Sequence, residues 1–236
     1  MRERAGQQTT IFLQRENLRI PGTLGDLRRF RAWVRSDDFP RQGRIDWISG
    51  EVTVDTSPED LNTHNTPRAA IAGELGILVE RRLDVGVVCS GRMRVSVPGV
   101  DLSCEPDVAV IRFESLESGR VRLVPGATGE AGRFVEIEGP PDIVVECVSD
   151  SSETKDREDL LRAYHAARVP EYWLVDAREV EPRLDLYRHA ARRYLRSPHR
   201  SGFAASGVLG LAVRLVRLPE RYGVVRYRLE DRPKGR

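Results

Sequence analysis

Lysine is nearly missing from this chain. Of its 38 lysine and arginine residues only two are lysine, Lys155 and Lys234, and the second falls in the polar terminal run from Glu230 to Arg236. Arginine keeps its proton in almost any environment, whereas lysine is a compact, tunable ammonium. A chain that otherwise uses arginine and keeps one internal lysine marks Lys155 for chemistry, with chance retention as the plain alternative. Cysteine is scarce too: Cys89, Cys104 and Cys147 are odd in number, sit among apolar residues and show no paired metal-ligand spacing. A disulfide scaffold or zinc ribbon is therefore not expected, and reduced thiols in a cytoplasm are. No run approaches the roughly 20 apolar residues of a spanning helix, and the start, Met1 to Gly6, lacks the apolar centre of a secretory leader, so no membrane association is expected. A P-loop, a glycine-rich dinucleotide fingerprint and a nucleophile elbow are also absent, which removes ATP-driven, hydride-transfer and serine-hydrolase chemistry.

What is present fits a globular chain: 236 residues, 40% hydrophobic and 31% charged, enough for one large domain or a core with appendages. The net charge of +2 hides an asymmetry, because residues 190–236 hold twelve basic and only three acidic side chains. Such an end is either a solvated tail or a surface that holds a phosphate backbone near an acidic centre.

Apolar spacing predicts an amphipathic helix within residues 20–39, opening after Thr23 and carrying Leu24, Leu27, Phe30 and Val34. Residues 44–48 and 51–55 alternate around Ser49-Gly50, a two-residue hairpin signal that places Glu51 just past the turn. Asn65-Thr66-Pro67 opens a core-facing helix with His64 at its entrance. Strands are expected at residues 86–89, 93–97 and 106–111, and a glycine-rich loop at 115–132. The run from Pro141 to Ser149 reads as a strand covered on both faces. A helix capped by Thr154 follows, ending at Val169-Pro170, with strands at 172–176 and 184–188. The order implies an α/β (α+β) fold with a mixed central sheet, and residues 143–175 form a parallel crossover.

Within that buried strand Glu146 needs an explanation, since a carboxylate there must be paired, protonated or bound to a cation. Asp107 opens another apolar strand and meets Glu146 if the two strands are neighbours. Two adjoining carboxylates repel unless a proton or divalent metal lies between them, and an all-oxygen site suits Mg²⁺ or Mn²⁺. The structural alternatives are that Asp107 caps a turn after Pro106 and that Glu146 pairs with an arginine. Lys155, just beyond the Glu146 strand, adds the cation that a hydrolytic metal site uses. Trp173 and Tyr172 read as core.

The run Pro141-Asp-Ile-Val-Val-Glu-Cys-Val-Ser-Asp-Ser-Ser152, then Lys155-Asp156, Tyr164 and Val169-Pro-Glu-Tyr-Trp-Leu-Val-Asp176, resembles the Uma-type restriction endonuclease family, a branch of the PD-(D/E)XK nuclease superfamily. Gly50-Glu51, His64 and Glu105-Pro-Asp107 match its pattern in order, so the resemblance spans about residues 24–190 and leaves 191–236 as a basic C-terminal extension of a single domain. It implies a restriction-endonuclease-like mixed central sheet flanked by helices, with an N-terminal β-hairpin extension. It makes Asp107 and Glu146 the metal ligands and Lys155 the catalytic lysine, with auxiliary roles for His64 and for Glu51 as a further ligand or water-orienting group. The superfamily lysine usually stands two residues after the second acid, which here is Val148. In many relatives it stands four residues before the tyrosine matching Tyr164, which here is Leu160. Lys155 lies one turn earlier.

Three functions follow as expectations. The first is a Mg²⁺- or Mn²⁺-dependent endonuclease acting on DNA, with Arg192, Arg193, Arg196 and Arg200 contacting phosphates, and with homodimerisation as a common arrangement for cutting two strands. The second is a catalytically degenerate nuclease fold that binds nucleic acid or a protein partner. The third treats the acids as a buried ion-pair network in an interaction module.

Overall fold

The structure, a computed structural model, describes residues 10–13 and 18–234. Residues 1–9, on which the expectation about a secretory leader falls, and the last two residues of the basic end lie outside the described residues. Strands β1 (Thr10–Leu13) and β2 (Leu18–Pro21) pair antiparallel. Helix α1 (Leu27–Val34) follows, capped by Asp26, whose side chain accepts from the Arg29 N–H at 2.8 Å, rather than opening after Thr23. It buries Leu27, Phe30 and Trp33, whereas Ile20 belongs to β2.

β3 (Arg44–Ile48) and β4 (Glu51–Asp55) form the expected hairpin, with Ser49 and Gly50 both at positive φ, the conformation that this tight turn requires. The hairpin is one edge of a six-stranded sheet in which β3 is followed by β7 (Leu102–Cys104), β6 (Arg94–Val97), β10 (Phe134–Glu138) and β9 (Arg122–Pro125). The region 115–132 is thus not one loop: it holds β9 and most of a short helix, α3 (Phe113–Glu117). Glycine scarcely shaped the outcome there, because Leu116 and Val121 anchor the chain to the apolar cluster around Ile111 and Ile137.

The central sheet has the order β14-β13-β12-β11-β8-β5, where β5 is Gly86–Ser90, β8 Val108–Arg112, β11 Ile143–Cys147, β12 Glu171–Asp176, β13 Arg183–Arg188 and β14 Leu195–Arg196. Only β11 and β12 run parallel, joined through helix α4 (Leu160–Ala166); the other pairs are antiparallel, so the sheet is mixed. All five residues of β11 are buried. Ile143, Val145 and Cys147 face helix α2 (Thr66–Gly76), while Val144 and Val148 face α4 and β7. Coverage on both faces is why the strand is written almost without polar residues.

Residues beyond 190 make a further sheet, β15 (His199–Arg200), β16 (Phe203–Ala205), β17 (Leu211–Arg221) and β18 (Val224–Pro233). Its inner face adds Val213, Leu215, Val225, Tyr227 and Leu229 to the α2 side of the core. Buried Glu171 of β12 ties this sheet down, accepting from Ser206 Oγ at 2.7 Å, the Val208 N–H at 3.1 Å and Trp173 Nε1 at 3.0 Å. The basic end is therefore folded structure rather than a solvated tail. Tyr172 and Trp173 are fully buried, and the three cysteines are unpaired. No helix among the described residues is long and apolar enough to cross a membrane.

Candidate active site

Asp107 lies one residue before β8. The β8–β11 ladder ends at the Val108–Val145 pair, and beyond it the Asp107 carboxylate replaces a backbone acceptor, taking the Cys147 N–H on Oδ2 at 2.7 Å. Its own N–H points at Glu146 Oε2, 3.4 Å away. The two acids are thus brought together by adjacent antiparallel strands. Both are buried, and Glu146 Oε1 accepts from the Tyr164 hydroxyl of α4 at 2.8 Å.

Arg44, at the open end of the β3–β4 hairpin, answers both carboxylates. Its Nη2 is 2.5 Å from Asp107 Oδ1 and its Nη1 3.8 Å from Glu146 Oε2. Of the two structural alternatives raised by the sequence, an arginine does stand beside Glu146, whereas the Asp107 carboxylate accepts from the neighbouring strand rather than capping a turn after Pro106. Asp46, two residues along the same strand, accepts the Glu105 N–H at 3.0 Å and lies 3.5 Å from Lys155 Nζ. Lys155 lies in the first turn of the helical segment that starts at Glu153 and runs into α4, where Thr154 is itself helical and caps nothing, and Asp156 beside it accepts from Ser152 Oγ at 2.5 Å while its Oδ1 has no hydrogen-bond partner.

The helical segment containing α2 begins earlier than Asn65: Asp60 caps it, accepting from the N–H groups of Asn62 and Thr63, and residues 61–82 are continuously helical. Propensity favoured the Asn-Thr-Pro start, but Asp60 satisfies two orphan donors there. His64 is consequently inside the first turns, with Nε2 3.4 Å from Asp107 Oδ2 and a buried Nδ1 that has no hydrogen-bond partner. Arg68, one turn on, is 3.7 Å from Asp107 Oδ1 and is held by Glu59. A cleft of about 680 Å³ opens over this group, lined by Arg44, Asp55, Glu59, His64, Arg68 and Ser152 among others.

Four acids thus share one buried region with fewer close cations. Burial pushes the Asp107 carboxyl up, but the His64 contact and the Arg44 charge outweigh it and hold the group well below the usual carboxylate range. Glu146 goes the other way: burial, then the charges of Asp107 and Asp156, raise it well above its ordinary value despite Arg44 and Lys155. Asp156 is pushed up to about 6, chiefly by burial, against the pull of Lys155 and the Ser152 hydrogen bond. Burial alone would weaken the hold of Lys155 on its proton, but Asp46 leads the acids that reverse this and raise it.

Asp107, Glu146, Lys155 and His64 are therefore gathered by the fold, and Glu51 is not. Glu51 is exposed at the turn end of the hairpin, opposite Ile48, whereas the site lies at the Arg44–Asp55 end four residues away, roughly 13 Å along the strand. The acid that this hairpin does bring to the site is Asp46, beside Lys155. Asp46, Arg44 and Asp156 were not singled out from the sequence. The signal for Asp46 was the one that found Glu146: an acid inside a strand whose residues 45–48 are all buried. Val148 and Leu160, at the two customary lysine positions, are both buried in the apolar cluster around Tyr172.

A model of the Uma2 family, described as "Putative restriction endonuclease", matches residues 27–215, which include every residue of the acid cluster. Among solved structures, a protein from Anabaena variabilis ATCC 29413 described as "a putative nuclease belonging to DUF820" is similar with a TM-score of 0.56, at 16% identity over 78% of this chain and 90% of that one. No curated protein matches. The likeness to the solved structure is one of fold, and the family match spans most of the chain. The chain belongs to the Uma2 family.

Proposed function

We propose that this protein is a divalent-cation-dependent endonuclease that hydrolyses phosphodiester bonds in DNA, acting in the cytoplasm. The observation that carries this is the buried Asp107–Glu146 pair, set side by side by neighbouring strands beneath an arginine-lined cleft. Among the described residues no three carboxylate, histidine or thiol groups converge as a ready cation cage. The donor chemistry nevertheless fits Mg²⁺ or Mn²⁺, which take one or two carboxylates and complete their shell with water and substrate phosphate. Asp46, Asp107, Glu146 and Asp156 outnumber Arg44, Arg68 and Lys155 there, and Asp156 Oδ1 is left without a partner, a balance of the sign such an ion offsets. Asp107 and Glu146 would hold it, and when bound it supplies charge stabilisation to a phosphoryl group and acidifies water.

The chain's own groups do the rest. Arg44 and Arg68, facing the cleft, bind the anionic phosphate and favour the more highly charged transition state. Lys155, fixed by Asp46, adds positive charge behind them. Tyr164 orients Glu146 through its hydroxyl. His64 lines the cleft beside Asp107 and serves in this reading as the group that moves a proton there. Incubation of supercoiled plasmid with Mg²⁺, Mn²⁺ or EDTA tests the reading: cutting that needs the metal and disappears in Asp107→Ala and Glu146→Ala supports it. An intact plasmid with folded wild type overturns it.

The second reading is a nuclease fold that binds nucleic acid or a protein partner without cutting. Arg44 spanning both acids, together with apolar Val148 and Leu160 at the usual lysine positions, favours it. Salt-sensitive DNA binding without cleavage in either metal is its signature. Homodimerisation belongs to the first reading, where two copies cut two strands.

A further inference from the structure

The C-terminal sheet has faces of opposite character. Its inner face is core, as described above. On its outer face the register sets Ala205 beside Ala212 and Ala212 beside Arg232, and these small side chains leave a hollow of about 270 Å³. Phe203 walls the hollow and carries two guanidinium groups, those of Arg214 and Arg232, at 4.5 and 4.1 Å from its ring centre. Arg188, Arg200, Arg232 and Lys234 converge on the hollow, and no carboxylate lines it. The acids of β18 are already engaged, Glu230 by Arg214 and Asp231 by Arg82.

Arg31, Arg157 and Arg178 elsewhere in the molecule, by contrast, each lie within hydrogen-bonding distance of a carboxylate. Four cations without an acid among them repel one another, and a bound polyanion turns that repulsion into attraction. Past Glu230, which Arg214 engages, the same face of β18 carries exposed Arg228 and Arg226. It ends at the Tyr222–Gly223 turn, which Asn62 pins by donating to the Gly223 carbonyl at 2.9 Å and accepting the Val225 N–H at 3.0 Å. Asn62 is two residues from His64, so this face leads from the hollow to the helical turn that carries a site residue. Strand β18 lies beyond the residues matched by the family model.

We infer that this outer face is a docking surface for the phosphates of a nucleic-acid backbone, with Arg200, Arg232 and Lys234 around Phe203 as its anion pocket. The choice of nucleic acid as occupant rests on the endonuclease reading; the pocket itself rests on the arrangement of charge. The test is fluorescence anisotropy of a labelled DNA duplex in EDTA, titrated between about 50 and 200 mM KCl, the range over which phosphate contacts weaken measurably. Wild type is compared with an Arg200→Gln/Arg232→Gln double variant and a charge-matched control, Arg133→Gln/Arg162→Gln, whose side chains are exposed and meet acids only three residues away.

The slope of log K against log[KCl] should flatten by about 1.8 in the first variant, about 0.9 for each lost phosphate contact, and stay at the wild-type value in the control. An unchanged slope in the double variant, or an equal change in the control, overturns the docking surface while leaving the endonuclease reading in place. Wild type of native circular dichroism that binds no duplex overturns the docking surface, while the endonuclease reading stands or falls with plasmid cleavage in Mg²⁺ or Mn²⁺. Binding of inorganic phosphate at the pocket with a duplex slope insensitive to the double variant identifies a small-anion site and overturns the backbone assignment.

Discussion

Replacing Arg44 by methionine removes the charge that Asp107 and Glu146 share and keeps most of the side chain's apolar stem. Breaking a buried pair from one side costs about 3–5 kcal/mol, because the remaining charge is stranded. Two features reduce that figure here: the Arg44 side chain is 21% exposed, and Asp107 keeps the Cys147 N–H at 2.7 Å and His64 at 3.4 Å. The expected loss is about 2–3 kcal/mol, or about 1 M in the urea midpoint at an unchanged slope. Its pH dependence is the sharper check. Asp107 has a depressed folded-state value, so its stabilising effect is present above the unfolded value of about 4 and is lost as the pH falls toward the folded one. Without Arg44 the folded Asp107 takes up its proton at a higher pH, so the gap between wild type and variant must narrow on acidification. Urea melts at pH 7 and at progressively lower pH measure both quantities. A loss below about 0.5 kcal/mol, or a gap independent of pH, refutes the assignment of Arg44 as the counter-charge of this pair.

Glu146→Gln should invert the usual behaviour of a buried acid. Because the Glu146 carboxyl is raised, the folded state binds its proton more tightly than the unfolded chain, and wild-type stability falls as the pH rises through the folded value; melting scans should show the variant more stable than wild type on the alkaline side, and a lower melting temperature there counts against the raised carboxyl. Tyr164→Phe deletes the hydroxyl that donates to Glu146 at 2.8 Å and touches Cys104 Sγ at 3.2 Å, so urea unfolding should report a loss of about 1–2 kcal/mol together with slower cleavage; unaltered cleavage removes Tyr164 as the group that orients Glu146. Gly86→Ala puts a Cβ 2.1 Å from the Ile111 carbonyl oxygen of the paired strand. Overpacking of this kind costs about 3 kcal/mol, and a urea midpoint equal to wild type contradicts the tight β5–β8 approach.

Much of the framework was legible because its signals are local. The hairpin at residues 44–55 rests on a two-residue turn with a conformational requirement, and β11 on a run of apolar residues that only a doubly covered strand tolerates. The meeting of Asp107 with Glu146 followed from β8 and β11 alone once they were neighbours. What stayed hidden depends on contacts between distant segments. Asp46 joins the site because β3 pairs with β7, which brings its carboxylate to the Glu105 N–H, a relation no periodicity reveals. Arg44 was one of many arginines, and only its 2.5 Å contact with Asp107 distinguishes it. The C-terminal strands were obscured by their arginines: β18 alternates valine, tyrosine and leucine with charge, and its inner face is recognisable as core only when α2 is seen to receive it. Glu51 shows the converse, a residue marked by motif order that strand geometry sets at the wrong end of its hairpin.

The central claim is that Asp107 and Glu146 together hold a divalent cation, and the most direct measurement is the melting temperature of wild type, Asp107→Asn and Glu146→Gln in Mn²⁺ against EDTA. Ligand at about 100 times its dissociation constant stabilises the folded state by about 2.7 kcal/mol, and for a chain of this size that corresponds to a rise of roughly 5–10 °C. Wild type should show that rise and both variants should lose it. An equal rise in all three proteins, or none in wild type, contradicts the claim.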